Sequence, residues 1–479
     1  MGLINIIANW YSIQKFLRSD KDYIADIQQQ RLRRLLRHAV GNSEFYQDLY
    51  QGIDIETCSL QDLPTVTKAA MMDNYDRFVT DKRLKLHDIQ NWLKDNQTSG
   101  KLYLGHFSPF LTSGSTGENA LIIYPRKALE VIQAGLLANY PFQPTRSIYN
   151  HIRKIAGYLV GKKLRIAIIT VPIGNIGPLF RRAPKLHRFF TEMKLLSVLD
   201  PIDQVVEALN KFQPDQLVSV TFFIAQLAQE QLAGRLQLAF SHPMACIVGA
   251  GEILAEHTQK LALKAWDMKI HDTYGTMECY HMATSCSMYG QLHQMSHLCI
   301  IEIVDRNCRP VPRGQYGEKI LLTNLINDTQ PIIRYEIEDV TGYADQSCQC
   351  GSPLATLLPL QGRTKEFLYF KHSHGGYVRF LPNILYTTLR NMHEIRQFQI
   401  VQTARNELTF IYVLQNNVLK IEQKLNHTLT KALSTRDLED HVSLKFKQVA
   451  SIPRDERSGK YRLIISLGPP EDLEPPRNN

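Results

Sequence analysis

Met268-Lys269-Ile270-His271-Asp272-Thr273-Tyr274-Gly275-Thr276-Met277-Glu278 is the stretch from which the rest of the chain can be read. Met268 to His271 has the character of a short strand, and Asp272 to Glu278 that of the turn after it. A turn at the C-terminal end of a strand is where open α/β sheets bind ligands. Glu278 has the chemistry to hold a magnesium ion on a phosphate chain. A surface turn carrying an exposed glutamate is the plain alternative.

Outward from that turn, residues 120–275 alternate. Helical patterns at Lys127–Leu137, Ile202–Phe212, Phe222–Leu232 and Ala255–Trp266 separate β-rich runs at Ala120–Tyr124, Leu164–Val171, Gln216–Val220 and Ala245–Val248. Such alternation predicts an α/β sheet with crossover helices. After about residue 290 the chain turns β-rich, at Cys299–Val304, Lys319–Thr323 and Ile332–Tyr335. The last hundred or so residues read as a small α+β unit, with a helix at Asn383–Met392 and strands at Arg396–Thr403 and Leu408–Leu414. Residues 20–50 read as helical, ending near Gly41.

The N-terminus lacks the charged start and cleavage site of a secretory signal. Leu3, Ile6, Ile7, Trp10, Ile13 and Phe16 instead have the spacing of an amphipathic helix. That face packs on the body of the protein or, alternatively, lies on a membrane surface. The Pro-rich end, Gly468–Asn479, is expected to be disordered.

A chain of 479 residues is too long for one small core, and two or three domains are expected. With 44% hydrophobic and 21% charged residues it has the profile of a folded protein. No apolar run is long enough to cross a bilayer. The net charge of +9 gathers at Arg31–His38, Arg153–Arg165 and Arg181–Arg188. No nucleic-acid motif accompanies these clusters, so solvated helix faces or phosphate-rich small ligands account for them. Eight cysteines without an export signal point to metal rather than to disulfides.

Three further segments carry chemistry. In Thr112-Ser113-Gly114-Ser115-Thr116-Gly117 the glycines let the backbone fold back, so that N–H groups and hydroxyls surround phosphate oxygens. It is not a Walker loop, because the Gly-Lys-Ser/Thr ending is absent. In Pro331 to Asp339, followed by Gln361-Gly362-Arg363, an aspartate can accept both ribose hydroxyls and an arginine can reach ribose or phosphate. Near the C-terminus, Lys460 follows Gly459 on a loop. A lysine so placed can stabilise charge developing between a carboxylate and an α-phosphate. Taken singly, these are also the features of a linker, a surface ion pair and a solvent-exposed lysine.

Their order along the chain resembles the adenylate-forming superfamily of acyl-CoA ligases and, within it, the phenylacetate–CoA ligase family. The resemblance runs from about residue 30 to 465 and includes Leu35 to Tyr46 and the Leu63-Pro64 to Lys68 element. It implies that Thr112, Ser113, Gly114, Ser115, Thr116 and Gly117 wrap the ATP phosphates. Gly249 to Glu252, including Gly251, would flank the adenine, with Asp272 near its amino group. Tyr274, followed by Gly275 and Thr276, would stack on the base. Glu278 would hold Mg2+ and act in catalysis, Asp339 would take the ribose hydroxyls with help from Arg363, and Lys460 would catalyse adenylation. Three departures stand out. Met277 stands where the family carries a hydroxyl, with Thr276 as its stand-in, Lys365 stands where an aspartate is commoner at the hinge, and the phosphate loop continues as Glu118-Asn119-Ala120 without a lysine.

Cys348-x-Cys350-Gly351 is a knuckle of two thiolates. With Cys286 and His293 upstream it makes a Cys₃His set suited to structural zinc. Cys279, His281, His297 and Cys299 compete for the same role.

The expected fold is therefore α/β: a large N-terminal adenylate-forming domain with a β-rich subdomain over residues 1–363, and a small α+β lid over residues 364–479. The expected activity is ATP-dependent activation of a carboxylic acid, aromatic or medium-sized by family analogy, as its acyl-AMP, with transfer to coenzyme A in the cytoplasm. The rivals are adenylylation of a phenolic hydroxyl, loading of a carrier protein, and an inactive nucleotide-binding scaffold. A second copy of the chain is a further candidate partner, and no nucleic acid is expected.

Overall fold

The computed structural model describes residues 3–95, 101–112, 119–139, 163–170, 191–242, 244–372, 374–381, 384–385, 389, 392, 394–414, 420–453 and 463–470. Two compact units emerge. The first holds residues 1–337 and 341–359; the second holds 338–340 and 360–479. The sequence reading divides the chain after residue 363. Here the chain crosses earlier and more than once, because the short segment Glu338–Val340 clusters with Leu360–Asn479.

Among the described residues, the first unit is built on an eight-stranded sheet, in the order β13-β9-β8-β7-β6-β5-β3-β4. β3 (Leu164–Thr170), β4 (Thr191–Ser197), β5 (Gln216–Val220), β6 (Cys246–Ala250) and β7 (Ile270–Tyr274) run parallel. β8 (Ala283–Ser285), β9 (Leu292–Gln294) and β13 (Thr356–Leu357) continue the sheet antiparallel. β7 is thus the strand at which the sheet changes direction. From β4 to β7 each parallel strand is joined to the next by a helix, Ile202–Phe212, Thr221–Leu232 or Glu256–Trp266, as parallel pairing requires of its crossovers. The helix Ile202–Phe212 buries Val205, Val206 and Leu209, and Thr221–Leu232 buries Phe223, Ile224 and Leu227. Both sets join Ala167, Ile169, Leu217 and Ile247 in one core cluster.

Two smaller sheets complete this unit. β1 (Phe107–Leu111) pairs with β2 (Leu121–Pro125), and β10 (Cys299–Val304), β11 (Lys319–Asn324) and β12 (Tyr335–Ile337) form an antiparallel trio. The expected strand Ile332–Tyr335 is corrected: it starts only at Tyr335. Arg334 has φ +47, a left-handed conformation that ends an extended run. The helical stretch expected over 20–50 is two helices, Lys21–Asn42 and Glu44–Leu49. Ser43 lies between them, and its hydroxyl accepts from the Tyr46 N–H as an N-cap.

The N-terminal helix Leu3–Arg18 lies against the helix Arg126–Asn139. Ile13 is buried with Ala134, Trp10 and Leu17 pack beside them, and Asn5 donates to the buried Glu130. Among the described residues, no helix is long and apolar enough to cross a membrane.

The second unit is the expected small α+β fold. β16 (Ile395–Ala404) and β17 (Glu407–Leu414) form its central hairpin, flanked in parallel by β19 (Ile464–Ile465) and β18 (Ser443–Gln448). The helix Ile421–Leu433 buries Leu425, Leu429 and Leu433 against Ile400, Leu408 and Phe410 of this sheet. β14 (Leu368–Lys371) and β15 (Tyr377–Phe380) add a second hairpin. Most of the helix expected at Asn383–Met392 lies outside the described residues, as do the clusters at Arg181–Arg188 and most of Arg153–Arg165.

Candidate functional site

The site is assembled at the C-terminal ends of β6 and β7. Their register sets Gly249 beside Asp272 and Ala250 beside Thr273. This places the expected segment Gly249–Glu252 next to the expected turn without any long-range adjustment. A Cβ on Gly249 would stand 2.9 Å from Thr221 Cγ2 and 3.0 Å from Ile270 Cγ2, so the strand closes on its neighbours only with glycine there. Glu252 faces the start of the helix Thr221–Leu232: its Oε2 lies 3.4 Å from Thr221 Oγ1 and 3.4 Å from the Phe222 nitrogen. A carboxylate there answers the partial positive charge of the helix N-terminus.

Asp272 donates its N–H to Ser285 Oγ at 2.8 Å. Burial pushes its carboxyl up to about 7. Burial also holds its neighbour His271 down to about 4, with Lys269 adding to the effect.

The Tyr274–Glu278 turn is held on several sides. Within it, the Thr276 N–H donates to the Cys279 carbonyl at 3.0 Å and the Met282 N–H to the Tyr274 carbonyl at 2.8 Å. Gly275 is obligatory, since a Cβ would fall on the Tyr280 carbonyl. From outside, the Tyr124 hydroxyl donates to the Met277 carbonyl at 2.8 Å, and Asn324 Nδ2 donates to the Glu278 carbonyl at 2.7 Å. The Tyr335 hydroxyl donates to Glu278 Oε1 at 3.2 Å. Glu278 is thereby a buried carboxylate of fixed orientation, not the exposed glutamate of the plain alternative. The Thr276 hydroxyl accepts from the Cys279 N–H at 3.4 Å, so the candidate stand-in for the missing hydroxyl is engaged in the turn.

Thr112 closes the expected phosphate loop at its base. Its N–H donates to the Ala120 carbonyl and its Oγ1 accepts from the Ala120 N–H, both at 2.8 Å. Ser113, Gly114, Ser115, Thr116 and Gly117 lie outside the described residues, and so does Lys460.

Asp339 and Arg363 meet within the second unit. They form an antiparallel bridge, and Arg363 Nε lies 3.1 Å from Asp339 Oδ1. The Val340 N–H donates to the Gly362 carbonyl at 2.9 Å. Close by in both segments, Lys365 pairs with Glu338 at 2.5 Å.

Cys286, His293, Cys348 and Cys350 also converge. Their ligand atoms all lie within 4.8 Å of one another, and all four residues are buried. Cys286 Sγ stands 3.9 Å from Cys348 Sγ, and Cys350 Sγ 3.5 Å from His293 Nε2. A tetrahedral zinc ion spaces sulfur and nitrogen ligands about 3.5–3.8 Å apart. β13 pairs with β9, Thr356 opposite His293, and so brings the knuckle to the β8–β9 hairpin. The Tyr289 N–H donates to Cys286 Sγ at 3.2 Å, and Gly290 and Gly351 turn the chain at φ +72 and +77. Among the described residues, no other group of three or more such side chains comes together as a metal site. Cys279, His281, His297 and Cys299 are therefore not competing ligands.

Tyr124, Asn324, Arg334 and Tyr335 carry no functional signal of their own in the sequence. Arg334 and Tyr335 lie inside a quoted motif, but nothing local marks their partners.

Residues 373–467 match a family model described as the CapK C-terminal domain. The chain is 22% identical to the protein CapK of Staphylococcus aureus, over 96% of this chain and 92% of that one. It is 21% identical to the phenylacetate–coenzyme A ligase of Thermus thermophilus, over 93% and 97% of the two chains. Among solved structures it is similar to 2-hydroxyisobutyryl-CoA ligase in its postadenylation state with 2-HIB-AMP. That likeness has a TM-score of 0.68 at 15% identity and covers 94% of this chain and 91% of that one.

Proposed function

We propose that the chain is an adenylate-forming ligase of the phenylacetate–CoA ligase-like kind, which activates a carboxylic acid with ATP as an acyl-AMP and passes the acyl group to coenzyme A. The observation that carries this reading is Glu278: a buried carboxylate, fixed in direction, at the C-terminal end of the strand where the sheet reverses. Gly251, Glu252, Asp272, Tyr274 and Gly275 stand around the ends of the same two strands. The aromatic nature of the acid is carried over from the resemblance.

Glu278 would hold Mg2+, which would neutralise charge on the phosphate chain. Thr112 fixes the base of the loop whose N–H groups and hydroxyls, from Ser113 to Gly117, take the phosphates. Tyr274 offers a ring face to the adenine. Asp339 accepts the ribose hydroxyls, and Arg363, already paired with it, keeps the carboxylate aimed. The acid's carboxylate attacks the α-phosphorus in line and pyrophosphate leaves. Lys460, on the second unit, stabilises the charge that builds between them. The second unit acts as a mobile lid that turns between adenylation and thioester formation. The Cys₃His cluster holds a structural zinc that ties the β8–β9 hairpin to the segment before β13. The cytoplasm supplies ATP and coenzyme A.

The test is acid-dependent ATP–pyrophosphate exchange over a panel of aromatic and aliphatic carboxylic acids, with Glu278→Gln and Lys460→Ala alongside. Exchange with some acids, lost in both variants, supports adenylation, and coenzyme A consumption with those acids then identifies the acceptor. An absence of exchange with every acid, in a protein that binds ATP, overturns the reading.

A further inference from the structure

Arg334 adopts φ +47, a left-handed conformation that is strained for a residue with a Cβ. Its surroundings over-determine it. The N–H donates to Thr323 Oγ1 at 3.1 Å, Nε to Glu302 Oε2 at 3.1 Å, and Nη1 to the carbonyl of Gln61 at 3.0 Å and to that of Leu63. Arg334 and Glu302 are both buried, so this is an ion pair inside the first unit. The next residue is Tyr335, the first of β12, paired with Leu322. Its buried ring carries the hydroxyl that reaches Glu278 Oε1, 57 positions away in sequence.

Two separate bonds hold residue 278. Asn324 fixes the main chain through the Glu278 carbonyl, and Tyr335 fixes the carboxylate. Among the described residues the Tyr335 hydroxyl is the hydrogen-bond partner of that carboxylate. One bond to one oxygen selects a rotamer while the carboxylate keeps acceptor sites for a cation. Groups that orient a metal-binding carboxylate commonly change metal affinity by about 10–100-fold when removed.

We propose that Tyr335 is a positioning residue for Glu278, and that the strained Arg334, locked by Glu302, sets the start of β12 so that the phenol arrives there. The proposal rests on the reading of Glu278 as the ligand of a divalent cation.

The experiment uses the full chain with Mn2+ and ATP, free Mn2+ being read by electron paramagnetic resonance. Tyr335→Phe removes one oxygen and keeps the ring, and circular dichroism checks the fold. Expected is a loss of about tenfold in Mn2+ affinity of the ATP complex for Tyr335→Phe, with ATP affinity in excess chelator unchanged. Glu278→Gln weakens Mn2+ at least as much, and Tyr335→Phe placed on Glu278→Gln adds nothing further. Wild-type Mn2+ affinity in Tyr335→Phe, with Glu278→Gln impaired, overturns the positioning role alone. An equal loss from Tyr335→Phe in both backgrounds also overturns it, because Tyr335 then acts independently of Glu278. Wild-type affinity in Glu278→Gln instead removes the metal-ligand reading on which the proposal stands.

Discussion

The hydroxyl of Tyr124 donates to the carbonyl oxygen of Met277 at 2.8 Å, 153 residues away in sequence. Tyr124 lies on β2, the strand that leaves the loop pinned by Thr112 and Ala120. Met277 precedes Glu278. One buried phenol thus ties the strand after the candidate phosphate loop to the candidate metal-binding turn. Burial pushes the Tyr124 phenol well above its ordinary range, with Cys279 and Glu278 adding to the effect, so it remains a donor. The side chain of Met277 offers no hydroxyl to a phosphate, but its main chain is the anchor point of the turn.

Tyr124→Phe is expected to cost about 1–3 kcal/mol, because the Met277 carbonyl is left buried without its donor. Denaturant unfolding of the full chain measures the loss. Pyrophosphate exchange is expected to fall with it, since a turn freed on one side no longer holds Glu278 still. Unchanged stability would mean that another group takes over the carbonyl.

Much of this architecture is legible in the chain. The strand Gln216–Val220 and the helix Ile202–Phe212 have the bounds their apolar patterns predict, because each pattern is buried on the face it marks. The Tyr274–Glu278 turn is legible because Gly275 and a preceding strand are local signals. The Cys₃His set is legible in residue type, but rejecting Cys279, His281, His297 and Cys299 needs the β9–β13 pairing that gathers the four ligands. Arg334 is not legible as a break. Ile332-Ile333-Arg334-Tyr335 has strand propensity, and the buried Glu302 that overrides it is 32 positions away in sequence. The clamps from Tyr124, Asn324 and Tyr335 are likewise tertiary and leave no periodic trace.

Asp272 makes stability depend on pH. Its folded value of about 7 is above the unfolded value of about 3.9. The folded state therefore binds the proton more tightly, and stability declines as pH rises from about 4 to about 7. Asp272→Asn removes the titration. Its stability relative to wild type should grow across that window, by on the order of 2–4 kcal/mol at most. Unfolding midpoints of both proteins at pH 5 and pH 8 test this, and a gap that does not widen would show that Asp272 ionises in the native state without penalty.

The protein as purified is expected to carry about one zinc ion per chain, measured by elemental analysis. Cys286→Ser, His293→Ala, Cys348→Ser and Cys350→Ser should each lower that content. The loss should destabilise the first unit, since β9 and β13 lose the cross-link that closes their edge of the sheet. Cys58→Ser, at a half-buried cysteine outside the cluster, should leave the zinc content unchanged. Full zinc content in the four cluster variants would place the ion elsewhere.

Asp339 offers the sharpest test of where the ribose sits. Arg363 Nε already pairs with Asp339 Oδ1 at 3.1 Å, so the direction of the carboxylate is set before nucleotide arrives. A charged acceptor for a hydroxyl contributes about 1.5–3 kcal/mol, which corresponds to about 10–100-fold in affinity. Wild type should therefore discriminate against 2′-deoxy-ATP by about that factor in KM. Asp339→Ala should weaken ATP and abolish the discrimination, so that both nucleotides give the same KM. Arg363→Gln should reduce discrimination only partly, because it removes the group that aims the carboxylate and not the carboxylate itself. Pyrophosphate exchange with the two nucleotides, for all three proteins, measures these ratios. Discrimination that survives in Asp339→Ala would assign the ribose to another residue and leave the Asp339–Arg363 pair as a structural clasp of the second unit.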